Sequence, residues 1–124
     1  MGEIRKFEDI EAWKEACNLA EMVYKMTRLD KFSKDYGLKE QIQRASVSVA
    51  SNIAEGFERQ TKKEFIQFLY IAKGSSGEVR TLLYLGRKLN YLDEKQYNEV
   101  LGKCVYVSNL LGKFIHYLKN YSNT

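Results

Sequence analysis

Apolar residues recur every three or four positions along most of the chain, which is the spacing of residues on one face of an α-helix. The pattern predicts four helices, over about residues 9–28, 37–58, 61–89 and 93–119. The polar break at residues 29–36 is predicted to be a loop, and residues 90–92 a short turn. Because connections this short make successive helices antiparallel, we expect an all-α, antiparallel up-down four-helix bundle that uses residues 1–124 as one domain.

Each predicted helix has one stripe of apolar or small residues that we expect to face the core. The stripes are Ile10, Trp13, Cys17, Ala20 and Tyr24 in the first helix, Leu38, Ile42, Ala45, Val49 and Ile53 in the second, Phe68, Ala72, Ser75, Val79, Leu82, Gly86 and Leu89 in the third, and Tyr97, Leu101, Cys104, Ser108, Leu111, Phe114 and Leu118 in the fourth. Side-chain caps are also predicted at three helix starts. They are Asp9 for the first helix, Thr61 with Glu64 for the third, and Asp93 with Gln96 for the fourth.

The third and fourth predicted helices carry more apolar residues than one stripe needs. The additional residues are Ile66, Leu69, Tyr70, Ile71, Leu83, Tyr84 and Leu85 in the third helix, and Val100, Val105, Tyr106, Val107, Leu110, Ile115 and Tyr117 in the fourth. A helix that is apolar around most of its circumference is buried on more than one side. We therefore expect these helices to form an interface between subunits, against the alternative of scattered surface aromatics, which are normal.

The chain contains no proline, which agrees with long helices because proline removes a backbone donor and clashes in a helix interior. Its N-terminus lacks the apolar core of a signal peptide, and no apolar run is long enough to span a membrane. Cys17 and Cys104 are isolated on helical stripes, and His116 is the single histidine. A zinc or di-iron site needs more ligands than these. We expect a cytoplasmic protein with no metal, cofactor or small-molecule substrate.

Small and polar residues dominate adjoining parts of the second and third predicted helices. They are Arg44, Ser48, Asn52, Glu55 and Arg59 on one face of the second helix, and Ser75 and Glu78 on the third. Because a buried amide or carboxylate needs hydrogen-bond partners, we expect Asn52 and Glu55 to bond with serines across a close helix contact. The spacing of Glu55 and Arg59 also suits an ion pair. A catalytic Glu55 is the alternative, although no nucleophile, metal ligand or paired base accompanies it.

The net charge of +4 is unevenly distributed. Residues 60–91 contain six basic and two acidic residues, and no acidic residue follows Glu99. Steps of three and four residues along the third predicted helix align Tyr70, Lys73, Gly77, Arg80, Tyr84 and Arg87. Such an edge suits RNA, because cations neutralise phosphates and tyrosines stack on unpaired bases. It also suits a solvated face whose basic groups pair with the acidic first helix or with another subunit, and for a single chain this alternative is favoured.

Several segments together resemble the bacterial rRNA intervening-sequence proteins, often called four-helix bundle proteins. The matching segments are Phe7–Trp13, Tyr36–Leu38, Gln41–Ala45, Asn52–Gly56, Glu64 with Phe65, Phe68 with Leu69, Ile71–Ser75, and Glu78. The resemblance implies an up-down bundle, a ring-shaped homopentamer and no enzymatic activity. The chain is also similar to the accessory protein of diversity-generating retroelements, a basic pentamer that binds a reverse transcriptase and its RNA.

The sequence departs from the family pattern at two positions where members often have proline. Ser33 follows Phe32, and Ala50 lies just before the Asn52–Gly56 run. Since neither position is proline here, we expect uninterrupted regular helix from Val49 to Ile53.

Together these observations predict a non-catalytic, homo-oligomeric bundle, a pentamer by the resemblance, that binds structured RNA or a ribonucleoprotein. The candidate phosphate contacts are Arg59, Lys62, Lys63, Lys73, Arg80 and Arg87, and the candidate stacking residues are Tyr70 and Tyr84. The alternative is a protein–protein adaptor, similar to the reverse-transcriptase accessory protein, that does not itself recognise RNA.

Overall fold

The computed structural model describes residues 3–121, which form one short 3-10 helix at Phe7–Asp9 and five α-helices. The α-helices are Glu11–Met26 (α1), Asp30–Lys34 (α2), Tyr36–Phe57 (α3), Lys62–Lys88 (α4) and Glu94–Tyr121 (α5). The four long helices confirm the predicted all-α bundle. Helix α2 lies where the sequence predicted a loop, so that part of the prediction is wrong.

Helix α2 is explained by its one buried side chain, Phe32. The Phe32 ring packs on Tyr91, with ring centroids 5.5 Å apart. Its Cε2 would lie only 2.9 Å from a β-carbon placed on Gly86, so the glycine makes room for the ring. Five residues are too few to show a helical period, and the segment owes its conformation to this tertiary contact.

The predicted caps at Thr61 and Asp93 are confirmed. At the start of α4, Thr61 Oγ1 accepts a hydrogen bond from the Glu64 backbone N–H at 3.1 Å and donates to Glu64 Oε1 at 2.9 Å. At the start of α5, the Gln96 backbone N–H donates to Asp93 Oδ1 at 2.7 Å, and the Asp93 backbone N–H donates to Gln96 Oε1 at 2.8 Å. These bonds satisfy backbone donors that a helix leaves unpaired at its start.

The predicted cap of α1 at Asp9 is wrong. Asp9 ends the 3-10 helix, where its Oδ2 accepts a hydrogen bond from the Arg5 backbone N–H at 3.2 Å. Ile10 takes the N-cap position of α1 and makes no side-chain cap bond. The rings of Phe7 and Trp13 meet edge to face with centroids 5.2 Å apart, so aromatic packing holds the chain at this entry to the helix.

The four long helices form a closed ring of contacts, in which α1 and α4 each pack on both α3 and α5. The turn from α4 to α5 begins at Asn90, which has a positive φ of 63°, and the Tyr91 N–H returns to the Gly86 carbonyl at 2.9 Å. The Tyr91 hydroxyl donates to Asp35 Oδ2 at 2.9 Å, and this bond raises the pKa of Tyr91. Because Asp35 Oδ1 also accepts from the Leu38 N–H, one carboxylate ties this turn to the start of α3.

Burial agrees with the predicted stripe of α3 at Ile42, Ala45, Val49 and Ile53 but corrects the stripe of α1. The buried residues of α1 are Ala12, Ala16, Leu19, Val23 and Met26. Trp13 and Cys17 are only half-buried, and Tyr24 is exposed. Alanine contributes little to an apolar pattern, so the prediction followed the larger residues Trp13 and Tyr24 and selected the neighbouring face of α1. Leu89, predicted in the α4 stripe, is also exposed.

Many of the additional apolar residues of α4 and α5 belong to the core of the single chain. Leu69, Leu83, Val100, Val107 and Ile115 are buried, because each of these helices packs on two neighbours. The surplus residues that are exposed are Tyr70, Ile71, Tyr84, Leu85 and Tyr106. A subunit interface therefore has fewer candidate residues than the apolar pattern suggested.

Helices α3 and α4 approach each other closely at Gly56. A β-carbon there would lie 2.5 Å from Phe68 Cβ and 3.3 Å from the Phe65 carbonyl oxygen. Helix α3 continues without a break through Ala50, as expected from the absence of proline. No break in α3 therefore interrupts its contact with α4.

We predict that Gly56→Ala lowers the free energy of unfolding by about 1–3 kcal/mol, because the added methyl overlaps Phe68 and the Phe65 carbonyl. Gly102→Ala in α5 is the matched control, since a β-carbon there meets nothing within 4 Å. It should raise the free energy of unfolding by about 0.5–1 kcal/mol through helix propensity. Urea denaturation followed by circular dichroism measures both, and equal effects would contradict the close contact.

Candidate nucleic-acid interface

The basic and aromatic residues of α4 lie on the edge of that helix that borders α5. Lys119 Nζ in α5 donates a hydrogen bond to the Tyr70 hydroxyl at 2.7 Å. Lys73 Cε lies 3.7 Å from the position that a β-carbon of Gly112 would take. We call this surface the α4–α5 edge, and it comprises Tyr70, Lys73, Arg80, Tyr84 and Arg87 from α4 and Lys113, His116 and Lys119 from α5.

Arg80 continues the edge beside a buried thiol of α5. Cys104 is fully buried, and its Sγ lies 3.2 Å from the Ser76 carbonyl oxygen, to which it donates. Burial raises the pKa of the Cys104 thiol to about 11, while the positive charge of Arg80 acts in the opposite direction. A thiol with this pKa is protonated at neutral pH, so Cys104 packs as a small apolar side chain.

The two tyrosines of the edge are available to solvent. Tyr70 is 47% exposed and Tyr84 is 54% exposed. Lys119 Nζ lies 5.0 Å from the centroid of the Tyr70 ring, and Lys88 Nζ lies 5.6 Å from that of Tyr84. Each ring is therefore positioned by a cation, and an exposed aromatic ring beside a cation is a suitable platform for a nucleobase.

Two of the other candidate cations, Arg87 and Arg59, have partners of their own within the chain. Arg87 is half-buried, and its Nη1 donates to the Leu92 carbonyl at 3.3 Å, which supports the turn after α4. Arg59 pairs with Glu55 at 3.1 Å and lies 4.9 Å from the centroid of the Phe68 ring. Lys62 and Lys63 occupy the first turn of α4. The structure thus brings Tyr70, Lys73, Arg80 and Tyr84 along one edge and leaves Arg59 on a separate surface.

Three residues of α5 extend this edge beyond the candidates predicted from the sequence. Lys113, His116 and Lys119 lie on the part of α5 that faces the first half of α4. The available signal was the lack of any acidic residue after Glu99. Only the antiparallel packing of α4 on α5 shows that these cations lie beside Lys73.

The opposite side of α5 carries charges that are neutralised. Lys103 Nζ forms an ion pair with Glu15 of α1 at 2.7 Å, and the Tyr106 hydroxyl donates to Glu11 at 2.9 Å. None of the basic residues of the α4 edge, to which the expected pairing with the acidic first helix applied, forms an ion pair with α1 in the described residues. Within residues 3–121, neither Lys73 nor Arg80 forms an ion pair, so no carboxylate neutralises these two cations of the α4–α5 edge.

The polar residues between α3 and α4 form a smaller network than expected. The hydroxyls of Ser48 and Ser75 lie 3.0 Å apart and share a hydrogen bond across the two helices. Asn52 Nδ2 donates to the Ser48 carbonyl at 2.8 Å and to its Oγ at 2.9 Å. Asn52 thus bonds to a serine of its own helix, and Glu55 is exposed and pairs with Arg59. The expected bonds from Asn52 and Glu55 to serines across the helix contact are therefore wrong.

The remaining members of that candidate network lie at its margin. Arg44 pairs with Glu40 at 2.7 Å on the surface of α3. Glu78 is exposed and lines a groove between α3 and α4 together with Arg44 and Ser48. The network therefore fixes the contact between two helices at Ser48, Asn52 and Ser75, with its charged members directed to the surface.

A second edge of α4 borders α3 and has a different character. Ile71, Glu78 and Leu85 are seven residues apart and share this side, with Ile71 51% and Leu85 41% exposed. Between the two edges lie Gly74 and Gly77, where an added β-carbon would meet nothing within 4 Å. The α5 side of α4 is thus basic and aromatic, whereas the α3 side exposes two apolar residues, Ile71 and Leu85, on either side of Glu78.

Two absences apply to the part of the chain that the structure describes. Residues 3–121 contain no cluster of three or more histidine, cysteine or carboxylate side chains arranged to hold a metal ion. No helix within the same range is both long and apolar enough to cross a membrane.

Comparisons with known proteins place the chain in context. The family model described as 23S rRNA-intervening sequence protein matches residues 8–113. The chain is also similar to a crystal structure from Bacteroides thetaiotaomicron VPI-5482, a protein of unknown function from the S23 ribosomal protein family. The TM-score is 0.78 and the identity 24%, over 85% of this chain and 95% of that chain, which supports the helical fold. The comparison with curated proteins found no match.

We predict that Glu15→Gln lowers the free energy of unfolding at pH 7 by about 1 kcal/mol, because it removes the ion pair that holds α5 on α1. Hydrogen bonds from Lys103 and then Asn18 lower the pKa of Glu15. The stabilisation is therefore present above the ordinary glutamate pKa and is lost as the pH falls through the lowered value. Urea titrations of both proteins from pH 7 to acid should converge, whereas Glu21→Gln, in a more exposed pair, should have a smaller effect.

Proposed function

The chain belongs to the family of 23S rRNA-intervening sequence proteins, and from this premise we propose that it is a non-catalytic, oligomeric bundle that binds structured RNA. The proposal assigns the contact to the α4–α5 edge. The observation that carries it is the combination of exposed tyrosines with basic groups that lack carboxylate partners within residues 3–121.

The charge distribution supports RNA over a merely solvated surface. A protein that replaces the counterions of phosphates with lysine and arginine gains affinity from the released ions. Lys73 and Arg80 are available for this role, whereas Lys103 is already neutralised by Glu15. Tyr70 and Tyr84 add aromatic surfaces that can stack on unpaired bases of a loop or bulge.

Self-association is part of the proposal, with the pentamer implied by the resemblance as the expected state. The surface assigned to it is the apolar edge of α4, with Ile71 and Leu85. Gly74 and Gly77 support the assignment, because a helical glycine costs up to about 1 kcal/mol relative to alanine and no contact inside the protomer requires it here. Because neither glycine has a side chain, a helix from another copy of the chain could approach α4 closely at these two positions. In a ring, the α4–α5 edge would recur in every subunit, and the electrostatic fields of these edges would add together.

A binding role is proposed in preference to catalysis by Glu55. That carboxylate is exposed and forms a surface ion pair with Arg59. Neither a nucleophile nor a second acid or base accompanies it in the described contacts. Its position supports a role on the helix surface and not in a reaction.

We predict that the triple variant Lys73→Glu, Arg80→Glu, Arg87→Glu binds RNA about 100-fold or more weakly at 0.1 M salt. Fluorescence anisotropy with a labelled hairpin RNA measures the affinity across a salt series. Each phosphate contact that is lost should reduce the slope of log affinity against log salt by about 1.

The matched control reverses the charge of three cations that lie in α1 and in the turn after it. Lys14→Glu, Lys25→Glu, Arg28→Glu changes the net charge equally but leaves the α4–α5 edge intact. Equal loss in both triple variants would mean that only net charge matters. Unchanged affinity in the first variant would show that this surface is the wrong one, and a partner protein retained after nuclease treatment would favour the adaptor.

We predict that Ile71→Glu with Leu85→Glu converts the oligomer to a monomer, because two charges would be placed in an apolar contact. Light scattering should give five times the chain mass for the unmodified protein and the chain mass for the variant. Tyr24→Glu with Leu29→Glu is the control, since these exposed apolar residues lie in α1 and in the turn after it, whereas α4 packs on α3 and α5. If the unmodified protein is monomeric, the proposed self-association is refuted.

A further inference from the structure

A shallow groove lies between α4 and α5 in the middle of the α4–α5 edge. It is lined by Lys73 from α4 and by Ser108, Asn109, Gly112, Lys113 and His116 from α5, and its volume is about 450 Å³. Every lining residue except Gly112 has a side chain that donates hydrogen bonds. We call this site the Lys73 groove.

Gly112 forms the floor of the Lys73 groove. Lys73 Cε lies 3.7 Å from the position of a β-carbon on Gly112, which is ordinary van der Waals contact. The aliphatic part of Lys73 therefore lies against α5, and its ammonium group is carried to the α5 side of the edge. A large side chain at position 112 would fill the groove and displace Lys73.

The charge in the Lys73 groove is not balanced by carboxylates in its lining. No acidic residue follows Glu99, and Lys73 forms no ion pair within the described range. Lys113 also borders a groove on the other side of α5, where Glu3, Asp9 and Glu11 lie. Lys73 and His116 are therefore the basic groups that belong to the Lys73 groove alone.

Asn120 holds the backbone and the ring of His116 at the groove. Asn120 Nδ2 donates to the His116 carbonyl at 2.8 Å and lies 3.1 Å from His116 Nδ1. Because an amide nitrogen only donates, this second contact is a hydrogen bond in the tautomer whose proton is on Nε2. That tautomer presents the Nε2–H group as a donor for a ligand.

We propose that the Lys73 groove binds one backbone phosphate of RNA and that Tyr70 stacks on the adjoining base. This inference rests on the proposed function and names the site of contact. The groove supplies a positive charge and several hydrogen-bond donors, from Lys73, His116, Ser108 and Asn109. The two unesterified oxygens of a phosphodiester carry a negative charge and accept hydrogen bonds, so they suit this groove. Tyr70 lies three residues before Lys73, about one helical turn away, where Lys119 holds its hydroxyl.

The chain itself supplies a direct probe, because His116 is its single histidine. The imidazole proton resonances of the intact protein can therefore be assigned without ambiguity and followed by NMR during titration with a hairpin RNA. We expect these resonances to shift as the RNA binds. Inorganic phosphate alone should shift them only weakly, because a phosphodiester brings the stacked base as well.

Two variants and two controls test the site by anisotropy with the same RNA. Gly112→Leu, which fills the groove, and Lys73→Gln, which removes its charge without added bulk, should each weaken binding about tenfold. Gly102→Leu, on open surface of the same helix, and Lys14→Gln, on α1, should bind as the unmodified protein does. Circular dichroism checks that each variant is folded. If Gly112→Leu is unfolded, the affinity of Lys73→Gln decides the test.

The outcomes separate this inference from the proposed function. Unchanged affinity of both variants, with His116 resonances that do not move, would overturn the Lys73 groove while RNA binding stands. Equal shifts with inorganic phosphate and RNA would also overturn it, since the groove would then be a free-phosphate site. An unmodified protein that does not bind the RNA at all would refute both.

Discussion

The close approach of α3 and α4 is the constraint on which the rest of this structure depends. At Gly56 the two helices come so near that even one methyl group would overlap Phe68. A shared hydrogen bond between Ser48 and Ser75 satisfies polar groups further along the same contact. Since packing this tight tolerates neither bulk nor an unpaired donor, small and polar residues are required at these positions. This explains why the middle of α3 is rich in residues that are poor helix formers on their own.

The rotation of α4 follows from that contact. With Gly56 and Ser48 fixing one side of α4, its other side is presented to α5, and Lys73 comes to lie over Gly112. At the end of this contact where α3 begins, Phe32 packs on Gly86 of α4. Asp35 accepts hydrogen bonds there from the first turn of α3 and from Tyr91. Packing between helices thus sets the positions of charges that do not themselves take part in the core.

The acidic and basic residues are separated by the same geometry. Helix α1 contacts one side of α5 and neutralises Lys103 through Glu15, whereas α4 contacts the other side and brings its own cations there. As a result, Lys73, Arg80 and Lys119 lie along the contact between α4 and α5 without a carboxylate partner in the described residues. Burial keeps the Cys104 thiol protonated beside that contact.

The periodicity of the sequence was enough to predict the helices, because apolar spacing and caps such as Thr61 and Asp93 are local properties. It also located the stripe of α3 and its unbroken course through Ala50. The face of α1 was predicted wrongly, since the fit of Ala12 and Ala16 against neighbours outweighs the larger apolar signal of Trp13 and Tyr24.

The sequence by itself determined four long helices, their order and an excess of positive charge toward the C-terminal half. Only the tertiary structure decided that Phe32 forms its own helical turn, that Glu55 faces solvent, and that Lys113, His116 and Lys119 lie beside Lys73 and Tyr70. Helix formation depends on neighbours within a few residues along the chain. Which charges share a surface depends on the contact between helices, and that contact joins residues far apart in sequence.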